Sequence, residues 1–528
     1  MIPGGEIPFL SNHANQGSQS EGDERLGALV TNANAVAAIA AAVEGTLGPK
    51  GLDCMLVDRR GGVTITNDGS TILDNVDVTH PAARMLINAA KSQERQVGDG
   101  TTTTTLLAAT LVREGVTQVG KGVPVAQVLE GLRAGVAAAV QALREAAIPI
   151  SGFDDPLLRR AALISGRQDE ELSSLALAAA RTVGMAKCRE AGFRLADLVM
   201  AREGAQSQVF EGLLLDKQRM NRQMPADVRR ARILLVDDAL EPEEVDDDAL
   251  GTDAGFAKYM EYREQFAQAL SHILEAGVNV VVAERAVGDT AEEALTEAGV
   301  MVLRRVSARD LARLAEYTGA RPVKRAGIIR HPERLQGCLG RARRVYEDDT
   351  LEHIVVLGGA GKRTATLLVG AATAEVRAER RRIAQDAASA VQQAIAGGVV
   401  AGGGAAELGL IPQVEKVRQG MRAMAAFGVD CVLEALKRPL AQIVANAGYN
   451  PLGKVQEVLA SSAGQPGRLG IDCETGEVAD MVGLGVVDPA TVKVCALQTA
   501  QEVAEAILRI NVIIRKREEP ETSPAPPT

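Results

Sequence analysis

The chain has 528 residues, of which 46% are apolar and 24% are charged, a composition typical of globular proteins rather than disordered ones. The net charge of −10 argues against broad binding of nucleic acid and against docking on anionic membranes, since both need a basic face. No apolar run approaches the roughly 18 residues that span a bilayer, and the N-terminus lacks a secretory signal. We therefore expect a cytoplasmic protein with neither a nucleic-acid nor a membrane partner. The six cysteines contain no C-x-x-C pair, which supports neither a zinc site nor a disulfide framework.

The N-terminal part of the chain is rich in helix formers. Apolar residues at helical spacing predict helices over residues 26–44, 82–96 and 102–119. Between the first two, apolar and polar residues alternate around Val63 and Ile65, which predicts short strands joined by turns. A cluster of Pro, Gly and Ser at residues 149–155 indicates a joint in the chain.

The middle of the chain has a different pattern. The apolar stretches ARILLVDD, VNVVVAE and VMVLRRV predict strands, and they alternate with predicted helices at 261–276 and 308–317. Helical patterns return after about residue 356, and the charged, Pro-rich C-terminus is predicted to be disordered. The sequence therefore predicts an α/β module inserted into a helical one, whose two parts must meet in space.

Several familiar sites are excluded by their spacing. Gly361-Lys362 resembles a P-loop, but Val356 and Arg363 stand where a glycine and a Ser or Thr are required. The acidic segment EPEEVDDDALGTD resembles a calcium loop but lacks its bidentate carboxylate, so a solvated acidic loop is the better interpretation. The basic run at residues 377–382 indicates an exposed or intersubunit helix face.

Small-residue turns beside helix starts are the remaining candidates. The stretch TLGPKG follows the first helix, TNDG follows a strand, and Gly98-Asp99-Gly100 precedes five threonines. The third suits phosphate, because a helix N-terminus offers unpaired N–H groups and Asp99 could hold Mg²⁺. Each turn also has an ordinary explanation, respectively a helix C-cap, a hairpin turn and an N-cap. Gly402-Gly403-Gly404 is not a dinucleotide motif, and Asp386 alone would be read as a surface acid.

Together and in this order, these motifs resemble those of the chaperonins. TLGPKG, TNDGSTIL, HPAA, VGDGTTT, the Asp-Ala pair at 386, VVAGGGAAE and ILRIN carry the resemblance, which runs from about residue 25 to 513. HPAARML, LLLDKQRMNRQMP and IDCETGEVADM are similar to the group II branch, that of thermosomes and the eukaryotic cytosolic chaperonin. Residues 240–270 stand where that branch carries a helical protrusion that acts as a built-in lid.

The resemblance implies a multidomain α and α/β fold. A mainly helical equatorial domain would comprise residues 1–145 and 399–528, and a small intermediate domain residues 146–210 and 357–398. An α/β apical domain would span residues 211–356 and carry the lid at about 240–270. Subunits would form two stacked rings, of eight each, around non-native client proteins, with no separate co-chaperonin.

The resemblance also implies an ATPase that uses Mg²⁺. Asp68 and Asp386 would be catalytic, and Asp99 would bind the metal. The nucleotide would be held by residues matched to the family motifs: Thr46, Leu47, Gly48, Pro49, Gly69, Asp99, Gly100, Thr101, Thr102, Thr103, Arg167, Gly403, Asp472, Cys473 and Asp488.

Departures from the family pattern leave alternatives. Arg167 stands where group II members usually carry a Lys that senses the γ-phosphate, and a planar guanidinium is not a point charge. A protein-binding scaffold or regulatory subunit with little ATPase activity is the main alternative, but retention of Asp68, Asp99 and Asp386 favours hydrolysis. A small-molecule phosphotransferase would need an acceptor pocket, for which the sequence shows no constellation.

Overall fold

The computed structural model describes residues 21–58, 61–245, 251–462 and 467–510. The chain divides into two compact units: Met1–Ile148 with Gly397–Thr528, and Pro149–Ala396. The predicted disordered tail lies outside the described residues. The finer division into equatorial, intermediate and apical segments stays a prediction.

The described residues form eighteen helices and fifteen strands. The helices are α1 (Glu21–Glu44), α2 (Gly69–Asn75), α3 (Pro81–Val97), α4 (Thr101–Gly120), α5 (Val125–Ala146), α6 (Pro156–Ser165), α7 (Glu170–Val183), α8 (Met185–Cys188), α9 (Asp253–Glu275), α10 (Asp289–Glu297), α11 (Ala308–Thr318), α12 (Arg325–Arg330), α13 (Ala374–Gly397), α14 (Ala405–Gly409), α15 (Ile411–Gly420), α16 (Ala426–Asn446), α17 (Pro451–Ser461) and α18 (Ala490–Leu508). The strands are β1 (Cys54–Val57), β2 (Val63–Thr66), β3 (Val199–Glu203), β4 (Gln208–Phe210), β5 (Gly212–Leu215), β6 (Asp227–Val236), β7 (Val280–Ala283), β8 (Met301–Leu303), β9 (Gly340–Asp348), β10 (His353–Gly359), β11 (Thr366–Ala371), β12 (Val399–Ala401), β13 (Leu469–Ile471), β14 (Val478–Asp480) and β15 (Val487–Pro489).

The first unit is a helical body around one apolar core, to which both parts of the chain contribute. Helix α4 packs against α1, α16 and α18, so helices from the start and the end of the sequence share its faces. The same unit contains three antiparallel strand pairs, β1–β2, β12–β15 and β13–β14. The predicted meeting of the two helical parts is therefore observed.

Helix α1 corrects one expectation. By length and composition, its segment Leu26–Glu44 is apolar enough to cross a membrane, contrary to the prediction that no run of the chain is. In the fold, Leu29, Val36 and Val43 are fully buried in the core of the first unit. The apolar residues thus supply the face that packs on α3 and α4.

The second unit is built on a six-stranded sheet in the order β5-β10-β9-β6-β7-β8. Strands β6, β7 and β8 run parallel, and the other neighbours are antiparallel. Buried side chains on the two faces belong to two apolar clusters, one with α11 and the other with α9 and α10. A separate three-stranded sheet has the order β3-β11-β4.

The region expected to carry the lid is only partly helical. Helix α9 begins at Asp253, and residues 246–250 lie outside the described residues. Phe256 and Met260 are exposed on α9, as a lid surface requires. Phe266, which a lid over residues 240–270 would place on an accessible surface, is instead buried in the apolar cluster that contains α9 and α10. Phe266 lies more than three turns after the start of α9, in the part of the helix that packs against the apolar cluster of its unit.

Candidate nucleotide site

Asp68 caps a short helix beside the predicted site. The turn after β2 places it at the N-cap of α2, where its Oδ2 accepts hydrogen bonds from the Thr71 amide at 2.9 Å, the Ser70 hydroxyl at 2.8 Å and the Thr71 hydroxyl at 2.6 Å. These donors favour the ionised carboxylate and fix its orientation. Asp68 is therefore a positioned anion, as a group that orients water or phosphate must be.

The GDG loop joins two helix ends through two left-handed glycines. Gly98 ends α3 with φ of 73°, and Gly100 precedes α4 with φ of 87°. The N-cap residue of α4, Gly100, has no side chain to accept from the first N–H groups of the helix, an end that suits an anion. The Oδ1 of Asp99 accepts from the Gly100 amide at 2.6 Å, and Gln93 donates to the Asp99 carbonyl at 3.1 Å.

The five threonines at residues 101–105 differ in burial and in the contacts of their hydroxyl groups. Thr101 donates to Glu94 Oε2 at 2.9 Å, while Thr104 and Thr105 are buried in the body of the unit. Thr102 and Thr103 are half-buried at the loop end of the helix. A side chain at Gly69 would collide with the Thr102 hydroxyl, so the Asp68 turn and the start of α4 lie against each other.

Helix α16 aligns two further loops of the predicted site. Ile443 packs against Gly48, which has φ of 88°, and the Leu440 amide lies 2.6 Å from where a Cβ on Gly404 would be. Because residues 440 and 443 are one turn apart, both glycine loops meet the same side of α16. Asn446 adds hydrogen bonds to the carbonyls of Glu44 and Leu47 at 2.8 and 2.9 Å.

The hairpin β13–β14 carries Asp472 and Cys473 at its turn. Asp472 accepts from the Glu474 amide at 2.9 Å and the Thr475 hydroxyl at 3.1 Å, which shapes the turn. An ion pair of 2.6 Å between Lys50 and Glu474 ties this hairpin to the loop after α1. Burial raises the pKa of the Cys473 thiol, with the Asp472 charge adding to it, so this cysteine is a neutral side chain.

Asp488 belongs to a buried three-charge cluster. The Lys493 amine lies 2.7 Å from Glu407 Oε1 and 2.9 Å from Asp488 Oδ2. Burial by itself lowers the pKa of Lys493, but the charges of Asp488 and Glu407 outweigh it and raise the pKa above its ordinary value. Asp488 Oδ1 also lies 3.2 Å from where a Cβ on Gly402 would be, which is tighter than ordinary contact.

Asp386 and Arg167 belong to the second unit. Asp386 is half-buried on α13 between buried alanines, and the turn after α6 packs on the same helix at Ala387. Arg167 in that turn forms an ion pair with Glu379, which Arg382 also contacts at 2.7 Å. In this structure Arg167 is therefore held by a carboxylate two turns before Asp386.

The metal prediction agrees with the donors present. The described part of the chain has no group of three or more His, Cys, Asp or Glu side chains arranged to hold a metal ion. Mg²⁺ in nucleotide sites takes one or two carboxylates and completes its shell with phosphate oxygens and water. A single Asp99 beside the uncapped start of α4 fits that chemistry.

The structure brings together most of the predicted site and adds residues that the sequence did not reveal. Within the first unit, the contacts form two sets: the Asp68 turn lies against the start of α4 after the GDG loop, and the loop after α1, the glycine triplet and Asp488 adjoin through α16 and Gly402. Gln93, Glu94, Asn446 and Lys493 support these loops and were not predicted. Only Lys493 left a signal, as a lysine within an apolar helical pattern.

Comparisons with known proteins bear on the whole chain. Residues 39–518 match the model of a family described as the TCP-1/cpn60 chaperonin family. The thermosome subunit beta of Archaeoglobus fulgidus is 34% identical over 501 residues, which cover 92% of this chain and 91% of that protein. The thermosome subunit alpha of Thermoplasma acidophilum is 31% identical over 536 residues, 97% of this chain and 95% of that protein.

A solved structure adds evidence on the fold. It is described as a group III chaperonin in the open state, is 43% identical, and superposes with a TM-score of 0.81 over 93% of this chain and 100% of its own. These similarities confirm the resemblance and the multidomain fold that the motifs predicted.

Proposed function

The chain belongs to the TCP-1/cpn60 chaperonin family, and we propose that it is a group II-type subunit that hydrolyses ATP to drive enclosure and folding of non-native proteins. The observation that carries the ATPase proposal is that the Asp68 turn lies against the start of α4, directly after the GDG loop. Phosphoryl transfer needs mainly positioning and charge neutralisation, which such loops supply.

Each loop takes a distinct role in this proposal. The start of α4, with Gly100 to Thr103, receives the phosphates, since its N–H groups and helix dipole favour anions. Thr46 to Pro49 line the phosphates and ribose, Gly403 approaches the ribose, and Asp472, Cys473 and Asp488 lie near the nucleoside. Asp99 would hold Mg²⁺, which neutralises phosphate charge when bound.

The two catalytic carboxylates act from different units. Asp68, fixed by its three donors, acts on the γ-phosphate, and Asp386 takes the proton of the attacking water as general base. Asp386 is carried by α13 of the second unit. Arg167 would exchange Glu379 for the γ-phosphate, which makes it a nucleotide sensor.

The assembly proposal is two stacked rings of eight cytoplasmic subunits, closing without a co-chaperonin. The hairpin β1–β2 supports self-association. Cys54 and Leu56 pack toward the core, whereas Met55, Val57, Val63 and Ile65 form an outward face and are 56–64% exposed. An exposed apolar strand pair of this kind marks a surface for another chain.

Two substitutions test the ATPase. Asp386→Ala should bind ATP with Mg²⁺ yet hydrolyse it at least about 100-fold more slowly, because the water loses its base while the phosphate cradle stays intact. Asp99→Ala should instead weaken Mg²⁺-dependent nucleotide binding. Filter binding and phosphate release measure the two effects.

Asp349→Ala is the matched control, since Asp349 is exposed at the β9–β10 turn and is neither a proposed catalytic residue nor a proposed nucleotide-binding residue. Hydrolysis at the wild-type rate by Asp386→Ala would show that the base lies elsewhere. Absence of ATP hydrolysis in the unmodified protein, with client binding intact, would favour the scaffold alternative.

A further inference from the structure

An arginine stripe on the six-stranded sheet has no part in the nucleotide site. Strands β6 and β9 pair so that Arg229 lies opposite Arg344 and Arg232 lies opposite Arg341. Like charges directly opposite on neighbouring strands destabilise a sheet. Two such pairs side by side, in a chain whose net charge is −10, are therefore a costly local arrangement.

These four arginines share one face of the sheet. The residues beside them, Val228, Ala231 and Ile233 on β6 and Ala342 and Val345 on β9, all belong to the apolar cluster that contains α11. The alternation between faces shifts by one residue at Arg230, whose φ is 51°, and at Arg343, neither of which has a partner in the register, so the four paired arginines lie on the opposite face. Arg230 and Arg343 add two further exposed guanidinium groups at the same level of the two strands.

The stripe is only partly neutralised. Among the described residues, Asp227 is the carboxylate that pairs with it: it holds Arg344 through contacts of 2.8 and 3.1 Å and lies 3.9 Å from Arg229. Arg232 donates to the amide oxygen of Gln336, a neutral group, at 2.7 Å. One acid against the four arginines of this face, with Arg230 and Arg343 exposed beside them, leaves a net positive surface of the kind that binds an anionic partner.

The opposite end of the same strand carries six carboxylates, with Arg285, Lys324 and Arg325 beside them. Asp237 and Asp238 follow β6 directly, Glu284 follows β7, and Glu241, Glu243 and Glu244 come next along the chain. A hydrogen bond from Asp237 raises the pKa of Glu284, as expected where carboxylates crowd together despite nearby Arg285 and Lys324. At about 3.3 Å per residue, roughly 20 Å of strand separates this acidic end from Arg230.

We propose that the arginine stripe on β6 and β9 docks the acidic end of β6 and β7 from a second copy of this chain. A surface with a basic patch at one end and an acidic patch at the other is suited to head-to-tail contact, and head-to-tail contacts generate closed rings. Copies that each carry −10 repel one another overall, so local charge complementarity is needed where they meet. This inference rests on the ring assembly of the proposed function.

Zero-length crosslinking tests the contact directly. Arg341→Lys keeps the charge and supplies an amine that a carbodiimide joins to a touching carboxylate. In rings mixed from ¹⁵N-labelled and unlabelled subunits, we expect mixed-mass peptides that link residue 341 to Glu243, Glu244 or a neighbouring acid. The proposal would be overturned if every crosslinked peptide joined two segments of the same isotopic mass, which means one subunit, or if intact rings gave no crosslink at residue 341.

A charge swap provides the second arm. Arg341→Glu with Arg343→Glu, and separately Glu243→Arg with Glu244→Arg, should each lose at least ten-fold in crosslink yield between apposed cysteines placed at Arg230 and Asp238. The combined variant should regain most of the yield. If the combined variant did not regain crosslink yield, the contact would be contradicted. It would also be contradicted if the wild type bound RNA and the Arg341→Glu, Arg343→Glu variant lost that binding. Light scattering and ATPase on the same samples show whether rings and hydrolysis persist, which separates failure of this contact from failure of the proposed function.

Discussion

At the scale of single residues, the buried lysine of α18 shows how the site is held. Lys493 lies between Glu407 and Asp488, all in the first unit, and its amine balances part of the charge of the buried Glu407 and the half-buried Asp488. A buried charge cluster adds little to stability compared with an apolar substitute, but removing one member is costly because the rest stay buried and unpaired. The cluster therefore fixes Asp488 toward the glycine triplet.

We expect Lys493→Met to cost about 3–5 kcal/mol of unfolding free energy and to raise the KM for ATP more than it lowers kcat. Urea unfolding and steady-state ATPase measure the two effects. Lys454→Met is the control, since the half-exposed Lys454–Glu457 pair on α17 should contribute less than about 1 kcal/mol. Because the pKa of Lys493 is raised, its contribution should be complete at neutral pH and be lost only above the ordinary lysine pKa, about 10.4. Equal losses in the two variants would contradict the role of the cluster.

At the scale of elements, the glycine triplet shows how backbone geometry admits a ligand. Gly403 and Gly404 both have left-handed φ, 65° and 82°. The two positions differ in the room available for a side chain. A Cβ at Gly403 would meet the Met481 sulfur at 3.5 Å, whereas one at Gly404 would lie 2.6 Å from the Leu440 amide nitrogen. The first is ordinary contact, and the second would push α14 away from α16.

Gly403→Ala should therefore cost about 1–2 kcal/mol, from the backbone conformation alone, and Gly404→Ala clearly more. Thermal unfolding of the two variants, compared at one protein concentration, measures the difference. Equal midpoints would show that α16 moves freely enough to accept the added methyl group.

We expect the protease sensitivity of α9 and of the segment before it to depend on nucleotide. Phe256 and Met260 are exposed near the start of the helix, and Phe256 lies 6.4 Å from the Tyr259 ring, so apolar surface is concentrated at this end. If this end meets neighbouring lids after ATP hydrolysis, protease cleavage between residues 240 and 260 should be fast without nucleotide. It should be suppressed by ATP with a γ-phosphate mimic.

The protein alone, without any partner, is the sample for this measurement. Cleavage at equal rates in both states, with client release still requiring an added ring-shaped protein, would point to a co-chaperonin mechanism instead.

At the scale of the whole molecule, the exposed face of the β1–β2 hairpin is the clearest sign of assembly. Sixteen chains of 55.4 kDa would give a particle of about 0.9 MDa. Met55→Lys with Ile65→Lys should lower the mass seen by light scattering, because two charges then replace paired apolar side chains on that face.

Val30→Lys is the matched control, since Val30 is 42% exposed on α1, outside the hairpin. A fully active monomer of the unmodified chain would contradict the ring proposal altogether.

The sequence by itself determined which kind of molecule this is. Its periodicity predicted α1, α3, α4, α9, α11 and the central strands, because helix and strand repeats are local properties. The order of TLGPKG, TNDG, GDGTTT and GGG indicated the family, although each turn alone had an ordinary explanation. The predicted lid included Phe266, which is buried, because local composition does not say which surface a side chain meets.

Only the tertiary structure decided which residues cooperate. That Leu440 and Ile443 align two glycine loops, or that Lys493 binds Glu407 86 positions away, depends on how distant helices pack. The same holds for the arginine stripe, whose charges alternate with apolar residues in sequence and adjoin only through the register of β6 and β9. A linear chain does not reveal such neighbours, because the contacts that define them are formed by burial of the whole core.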